Sequence, residues 1–229
     1  MGSTVEGIPY WHVNVPEDQR SAECPDYLRE VTPKDLGIIS TPDSQYHRDT
    51  WEEAKKKVAD NTIHLFQRVP SELRRYKAFI WDLKRQYDGV LNYILSQRLG
   101  WPSPIVPRGK PFEYEDDVKI LWNDWPYGID DRIVHLVVWT KFGLEEDPAT
   151  GDLTDEARAE ISAYVREKFS EIPDDRIIWF KNWQSLKSVK AVEHFHVMMY
   201  DPDPEFVNKI TNGDVPAFIK AGGLSSACT

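Results

Sequence analysis

The sequence predicts an α+β protein in which amphipathic helices accompany four short strands. Apolar residues recur at alternating spacings of three and four in residues 71–99, and a second stripe of this kind lies in residues 154–169. This periodicity is typical of helices with one buried face. Short alternating or wholly apolar segments instead predict strands at residues 118–122, 133–139, 176–180 and 192–200.

The first 48 residues are rich in proline and polar residues, which favours an irregular arm over regular structure. The arm also contains apolar residues, so we expect it to wrap over the body of the protein rather than to be disordered. Its predicted anchors are Tyr10, Trp11, Val13 and Val15. After the arm, Asp49 or Thr50 is a suitable N-cap for a helix that reaches about Asp60.

The helix predicted within residues 71–99 has Ser71 as its N-cap and Gly100 as its stop. Gly89 lies inside this helix, where glycine costs up to about 1 kcal/mol relative to alanine. We therefore interpret Gly89 as a place where another element approaches the helix closely. The apolar stripe needs a partner surface, so the helix should pack against the strands.

A proline-rich connector at residues 101–112 separates the helical part from the strands. The strand at Ile133–Trp139 is apolar except for His135, as expected for a buried strand. A helix opening at Thr154 follows, and two further strands complete the set. We predict an arm and helical region at residues 1–104 packed on an α+β core at residues 105–229, the two forming one structural unit.

The charge of the chain restricts its partners. The formal net charge is −10 at pH 7, whereas nonspecific nucleic-acid binding and anionic-membrane binding both need a basic surface. No apolar run approaches the roughly 20 residues that span a bilayer, and the first residues lack the features of a secretory signal. Cys24 and Cys228 do not make a disulfide framework. We therefore expect a cytoplasmic protein with neither nucleic-acid nor membrane partners.

Two histidines stand out because His194 and His196 are two residues apart on one predicted strand. Residues at this spacing project from the same face of a strand, and here that face is otherwise largely apolar. Burying two imidazoles is costly unless they have partners or a function. Three uses remain open: a metal site, a nucleophile with a helper, or a satisfied structural pair. If the strand with His135 is adjacent to the strand with His194 and His196, the three imidazoles could lie close together.

Other polar residues lie beside these strands in the sequence. Asn123 and Asp124 precede the His135 strand, and Asn182 and Ser188 precede the His194 strand. Lysines at positions 181, 187 and 190 could bind an anionic substrate or could simply be solvated. The acidic runs Glu113–Asp117 and Glu145–Asp147 are interpreted as a solvated face and a loop rather than metal ligands.

Two resemblances add to this interpretation. The segments YWHVNVP, CPDYL, NTIHLFQRVPSELRRY, LWNDWPYGIDDRIVHLVVWTKF and WFKNWQSLKSVKAVEHFHV resemble the fungal N-acetylglucosamine-induced protein family. That family is mostly described as a domain of unknown function. The resemblance covers nearly the whole chain and implies a fungal, cytosolic setting with a link to amino-sugar metabolism.

More distantly, residues 115–200 resemble the histidine-triad (HIT-like) superfamily of nucleotide hydrolases and nucleotidyltransferases. Pro126 and Tyr127 are followed by the segment HLVVWTK at residues 135–141, then by a helix and an Asn at a strand end. The strand with His-x-His comes last. Only two of the three triad histidines are present, because the third position holds Val192 or Met198, depending on the register.

The histidine-triad resemblance implies a HIT-like antiparallel sheet, preceded here by the helical region. It also implies cleavage or transfer of a nucleotide or sugar nucleotide through a nucleotidyl-histidine. His194 would be the nucleophile, with His196 as the nearly equivalent alternative, and the second histidine would donate to a phosphate oxygen. The catalytic set implied is His194, His196 and His135. The substrate-binding set implied is Asn123, Asp124, Tyr127, Lys141, Asn182, Lys187 and Ser188.

Two other functions stay open. The missing third histidine favours a non-catalytic nucleotide-binding or regulatory protein linked to an N-acetylglucosamine response. The three histidines could alternatively ligate a catalytic metal. The expected ligand is a small nucleotide or sugar nucleotide with no further cofactor, and the oligomeric state is left open.

Overall fold

The computed structural model describes residues 7–183 and 191–221. It contains an antiparallel sheet whose four strands lie in the order β1-β2-β4-β3. The predicted strands are confirmed to within one residue at each end. Their bounds are β1 Val118–Trp122, β2 Ile133–Thr140, β3 Ile177–Phe180 and β4 Glu193–Tyr200. The strands that carry His135 and His194 are neighbours, as predicted.

The helices of the described residues confirm the α+β class. Thr50 caps the third helix through a reciprocal capping box with Glu53, and the Thr154 side chain accepts a hydrogen bond from Ala157 N at the start of the sixth. The helices are α1 Asp26–Arg29, α2 Pro33–Ile39, α3 Trp51–Ala59, α4 Pro70–Tyr87, α5 Val90–Tyr93, α6 Asp155–Lys168, α7 Pro204–Ile210 and α8 Ala217–Lys220. None of them is both long enough and apolar enough to cross a membrane.

The single helix predicted over residues 71–99 is wrong in two respects. It begins at Pro70 after Val69, so Ser71 is not its N-cap. It also breaks where Asp88 and Gly89 adopt φ angles of 55° and 127°, values that no right-handed helix contains. Nothing lies within 4 Å of a Cβ built on Gly89, so the predicted close approach is also wrong. Beyond α5 the chain continues as a π-helix, Ile94–Leu99.

One face of the sheet packs on the helices that follow β2 and β4. Leu136 and Val138 of β2 and Phe195 and Val197 of β4 are wholly buried there. Apolar residues of α6 and α7 cover them, including fully buried Ile161. Because side chains alternate along a strand, the intervening residues of β2 and β4 point to the opposite face. That opposite face carries the histidines.

The N-terminal helices cover the histidine face. Trp51 and Ala54 of α3 pack with Phe180 and Met198 over one half of this face. Over the other half, Ile94 and Leu99 pack with residues of β1 and β2: Leu121, Val137 and Trp139. The predicted packing of the 71–99 segment on the sheet is therefore confirmed. We call these covering segments, from α3 to the π-helix that ends at Leu99, the N-terminal layer. The histidines consequently lie between the sheet and this layer.

The arm is more regular than its composition indicates, because α1 and α2 lie within it. Tyr10 and Trp11 do act as anchors: they pack against a buried cluster of Leu28, Ile39 and Leu73. This cluster attaches the arm to α4 rather than to the sheet.

Candidate active site

The register of β2 and β4 places three histidines on one face of the sheet. His194 lies opposite Trp139, and His196 lies opposite Val137. His135 is two residues before Val137 on β2, so it is the diagonal neighbour of His196. All three side chains are buried, with exposed fractions of 1% for His135, 4% for His194 and 6% for His196.

His135 and His196 form a hydrogen-bonded pair. The distance between His135 Nε2 and His196 Nδ1 is 2.9 Å. The other nitrogen of His196, Nε2, lies 3.0 Å from Asn182 Nδ2, and Asn123 Nδ2 lies 3.2 Å from His135 Nδ1. The amide nitrogen of Asn182 only donates, so neutral His196 accepts at Nε2 and donates from Nδ1 to His135 Nε2. Neutral His135 then carries its proton on Nδ1, so the amide nitrogen of Asn123 donates to the other ring nitrogen, Nε2, at 3.3 Å. Both ring nitrogens of His196 are therefore occupied by buried partners.

The protein environment keeps this pair neutral. Burial, with a smaller contribution from the positive charge of Arg68, lowers the pKa of His135 to about 3. Burial also lowers the pKa of His196 well below its usual value, with smaller contributions from the neighbouring histidines and Arg68. Burial disfavours the charged form of an imidazole because a charge loses its hydration there. The pair is thus uncharged at neutral pH.

His194 is held differently. Its Nδ1 lies 2.9 Å from the backbone carbonyl oxygen of Val192, two residues earlier on the chain. A carbonyl oxygen only accepts hydrogen bonds, so Nδ1 carries the proton and Nε2 carries the lone pair in the neutral ring. The ring also packs on Trp139, with the ring centroids 4.4 Å apart. Backbone and aromatic contacts therefore fix both the tautomer and the ring position.

A cavity of about 90 Å³ lies between the histidine face and the N-terminal layer. His194 and His196 line it, whereas His135 does not and is separated from it by His196. The N-terminal layer contributes apolar residues of α4 and its continuation, and the segment after β1 contributes polar groups. The polar and aromatic lining residues are Arg68, Tyr76, Phe79, Tyr93, Arg98, Trp122, Asn123, Asp124, Trp125, Trp139, His194 and His196.

The residues predicted to bind substrate separate into several groups. Asn123 and Asp124 line the cavity, but Asn123 also bonds to His135, and Asp124 forms an ion pair with Arg98 at 3.0 Å. Tyr127 packs against the His135 ring with a centroid distance of 5.3 Å. Asn182 is buried against His196. Asn123, Tyr127 and Asn182 thus contact histidines, and of the four residues only Asn123 and Asp124 line the cavity.

Of the three other predicted residues, Lys141 does not line the cavity, and the other two cannot be placed from the described part of the chain. Lys141 pairs with the buried Asp117 at 3.3 Å and is not among the residues that line the cavity. Asp117 also accepts hydrogen bonds from the backbone of Arg108, so it is not part of a solvated face as predicted. Lys187 and Ser188 lie outside the described residues.

The described residues do not support the alternative of a metal site at His135, His194 and His196. The facing nitrogens of His135 and His196 hydrogen-bond to each other, and the three histidines do not each place a nitrogen within 4.8 Å of the other two. Within the described ranges, the one group with metal-ligand proximity is His47, Asp49 and Glu53. His47 and Glu53 bond to each other, and Asp49 pairs with Lys57.

Two arginines that line the cavity were not predicted. Arg98 had a detectable signal: it lies four residues after Ile94, on the apolar stripe, where a charge must find buried partners. It binds Asp214 through both terminal nitrogens, at 2.6 and 2.7 Å. Arg68 had no such signal, since it precedes the helix and its spacing relates it to none of the histidines.

The fold and site thus define an α+β protein with a histidine-bearing cavity beneath an N-terminal helical layer. The chain belongs to the family described as "Protein of unknown function (DUF3605)", whose model matches residues 50–200. These residues include α3 to α6 and all strands of the described sheet. The family match therefore contains the histidine face and much of the layer that covers it.

Two curated fungal relatives confirm the resemblance to N-acetylglucosamine-induced proteins. "N-acetylglucosamine-induced protein 1" of Candida albicans is 26% identical over 185 residues, which is 72% of this chain and 73% of the relative. "Uncharacterized protein YPL067C" of Saccharomyces cerevisiae is 26% identical over 160 residues, covering 66% of this chain and 79% of the relative.

A solved structure described as "Crystal Structure of HTC1" has a similar fold. The TM-score is 0.56 at 23% identity, over 73% of this chain and 98% of that chain. The similarity supports the architecture. None of these comparisons confirms the resemblance of residues 115–200 to the histidine-triad superfamily, which stays a prediction.

Proposed function

We propose that this protein binds a nucleotide or sugar nucleotide and cleaves or transfers it through a nucleotidyl-histidine at His194. One observation carries the proposal: Nδ1 of His194 is held by the Val192 carbonyl beside a cavity. This contact places the lone pair on Nε2, the arrangement that an imidazole nucleophile needs. The neutral state of the neighbouring pair supports it, because a charged His196 would disfavour the imidazolium that forms on attack.

In the proposed reaction, Nε2 of His194 attacks the phosphorus of a pyrophosphate linkage. The new N–P bond replaces the P–O bond to the leaving group, which departs as a phosphate anion and needs no proton. Water or a sugar phosphate then attacks the same phosphorus and releases His194, and the proton of the attacking hydroxyl passes to solvent or stays on the product. Nδ1–H remains bonded to Val192 and stabilises the positive charge on the ring.

The occupied nitrogens of His196 change the role predicted for it. Nδ1 faces His135 and Nε2 faces Asn182, so His196 has no N–H left for a phosphate oxygen. It is better interpreted as a positioning residue beside His194, with which its ring makes an edge contact at 5.7 Å. This geometry favours His194 over His196 as the nucleophile.

The size of the cavity favours a second candidate, a non-catalytic binding protein. A volume of about 90 Å³ accommodates a phosphoryl group, whereas pockets for drug-sized ligands have about 300–1,000 Å³. The nucleoside must therefore lie outside this cavity, or the N-terminal layer must shift. A protein that binds a ligand without converting it does not have to release a product or admit a water molecule, so a small cavity is sufficient for it.

The test is turnover by His194→Ala compared with His64→Ala, an exposed histidine as matched control. Because the Candida relative is named for N-acetylglucosamine, UDP-N-acetylglucosamine is the first substrate to try, with ADP as the second. We expect wild type and His64→Ala to cleave the nucleotide and to form a nucleotidylated protein whose phosphorus–nitrogen bond is acid-labile and base-stable. His194→Ala should do neither while keeping its circular dichroism spectrum. Undiminished turnover by His194→Ala would refute the proposal, and binding without turnover by wild type would support the second candidate.

A further inference from the structure

The two arginines that line the histidine cavity differ in how their charges are balanced. Arg98 is neutralised by Asp124 and Asp214, which bind its guanidinium on several nitrogens. Arg68 has no carboxylate within ion-pair distance anywhere in the described residues. Its positive charge is nevertheless partly removed from solvent, since its side chain is half-buried. An uncompensated guanidinium beside a cavity is a feature of anion sites.

The contacts of Arg68 hold its guanidinium in place without using all of its donors. Its Nε donates to the Trp125 carbonyl oxygen at 3.1 Å, and its guanidinium carbon lies 4.0 Å from the centroid of the Tyr76 ring. These two contacts fix the plane of the group. The described residues provide no acceptor for its terminal nitrogens, which are the pair that matches two phosphate oxygens.

A second, independent observation also indicates a ligand with acceptor atoms. The indole Nε1 of Trp125 is buried and has no hydrogen-bond partner among the described residues. Trp125 lines the same cavity, and its backbone is the group that Arg68 contacts. Buried donors without acceptors are rare in native proteins, so a bound acceptor is the ordinary explanation.

We infer that Arg68, with Trp125 Nε1–H beside it, forms the subsite that binds the phosphate oxygens of the ligand in the histidine cavity. The identity of the anion as phosphate rests on the proposed function at His194. Arg68 supplies the donor to phosphate that His196 cannot supply, because both nitrogens of His196 are occupied. The cavity volume of about 90 Å³ suits a phosphoryl group in this subsite.

The test measures binding of the anion alone, by calorimetry with pyrophosphate and inorganic phosphate. The variants are Arg68→Gln, Arg68→Lys and Trp125→Phe, and the matched control is Arg74→Gln. Arg74 lies on α4, donates to the Trp11 carbonyl and does not line the cavity. We expect Arg68→Gln to weaken pyrophosphate binding about 10- to 100-fold, as charge-assisted hydrogen bonds require. Arg68→Lys should recover part of the loss, and Arg74→Gln should bind as wild type does.

The outcomes separate this inference from the proposed function. His194→Ala should keep pyrophosphate binding while losing turnover, because it removes the nucleophile and not the subsite. If wild type binds pyrophosphate without turning over any nucleotide, the subsite stands and the catalytic proposal fails. Equal binding by wild type and Arg68→Gln, with turnover intact, would overturn the subsite alone. The absence of binding to wild type would also overturn it.

Discussion

The buried pair His135 and His196 predicts that the protein loses stability in mild acid. An unfolded histidine takes up a proton below its ordinary pKa of 6.5, whereas native His135 does so only near pH 3. His196 is likewise protonated only well below 6.5 in the native state. The unfolded chain therefore binds more protons, so the free energy of unfolding falls as pH falls. The stabilisation is fully present above pH 6.5 and is lost progressively below it.

The magnitude follows from the two protonation equilibria. Between pH 7 and pH 5, protonation of the unfolded state lowers the unfolding free energy by about 2 kcal/mol through His135, and His196 adds a loss of the same sign. This is a large fraction of the roughly 5–15 kcal/mol that stabilises a typical domain. Carboxylates contribute little over this interval because most of them titrate below pH 5.

The assay is urea unfolding at pH 7, 6 and 5, for wild type and for the double variant His135→Gln with His196→Gln. Glutamine retains hydrogen-bonding groups but does not titrate, so the loss of stability between pH 7 and pH 5 should shrink by at least about 2 kcal/mol, whatever the absolute stability. His64→Gln, at an exposed position, should keep the wild-type slope. The conclusion that the buried pair is neutral would be refuted if the unfolding free energy of wild type did not change from pH 7 to pH 5. It would also be refuted if the double variant showed the same pH dependence as wild type.

Two further predictions concern the N-terminal layer. Gly89→Ala should destabilise the protein by more than about 1 kcal/mol, because Gly89 has a φ of 127° that alanine rarely adopts. Gly37→Ala, in the helix α2, should instead stabilise the protein by about 0.5–1 kcal/mol. Thermal unfolding of the two variants should therefore show shifts of opposite sign. Asp214→Asn should lower the free energy of unfolding in urea by about 3–5 kcal/mol, because it leaves the buried Arg98 with only one ion-pair partner. A decrease below about 1 kcal/mol would show that Arg98 does not need its ion pair with Asp214.

Much of the fold could be predicted because its signals are local. The four strands, the caps at Thr50 and Thr154 and the stop at Gly100 all follow from residue type and period over a few positions. The break at Asp88 and Gly89 was missed because the apolar stripe continues across it. The period of the apolar residues indicates which face of a helix is buried. It does not change when two residues within the segment adopt positive φ angles, so it could not predict the break.

The candidate site could be predicted only in part. The spacing of His194 and His196 determines that they share a face, and the isolated His135 in an apolar strand indicates a buried imidazole. Which ring bonds to which partner depends on the strand register, a relation between residues about 60 positions apart that no local pattern encodes. The same is true of Asn123 and Asn182, whose hydrogen bonds to the histidines the sequence did not predict.

The sequence by itself therefore determined the class of fold, the strands and the histidine face, because each depends on the alternation of apolar and polar residues along a few turns or strand positions. Only the tertiary structure decided what lies opposite that face. Arg68 and the N-terminal layer reach the histidines through packing across long separations in the chain. The cavity, the neutral state of the pair and the uncompensated arginine depend on burial, which arises only when the layer and the sheet come together.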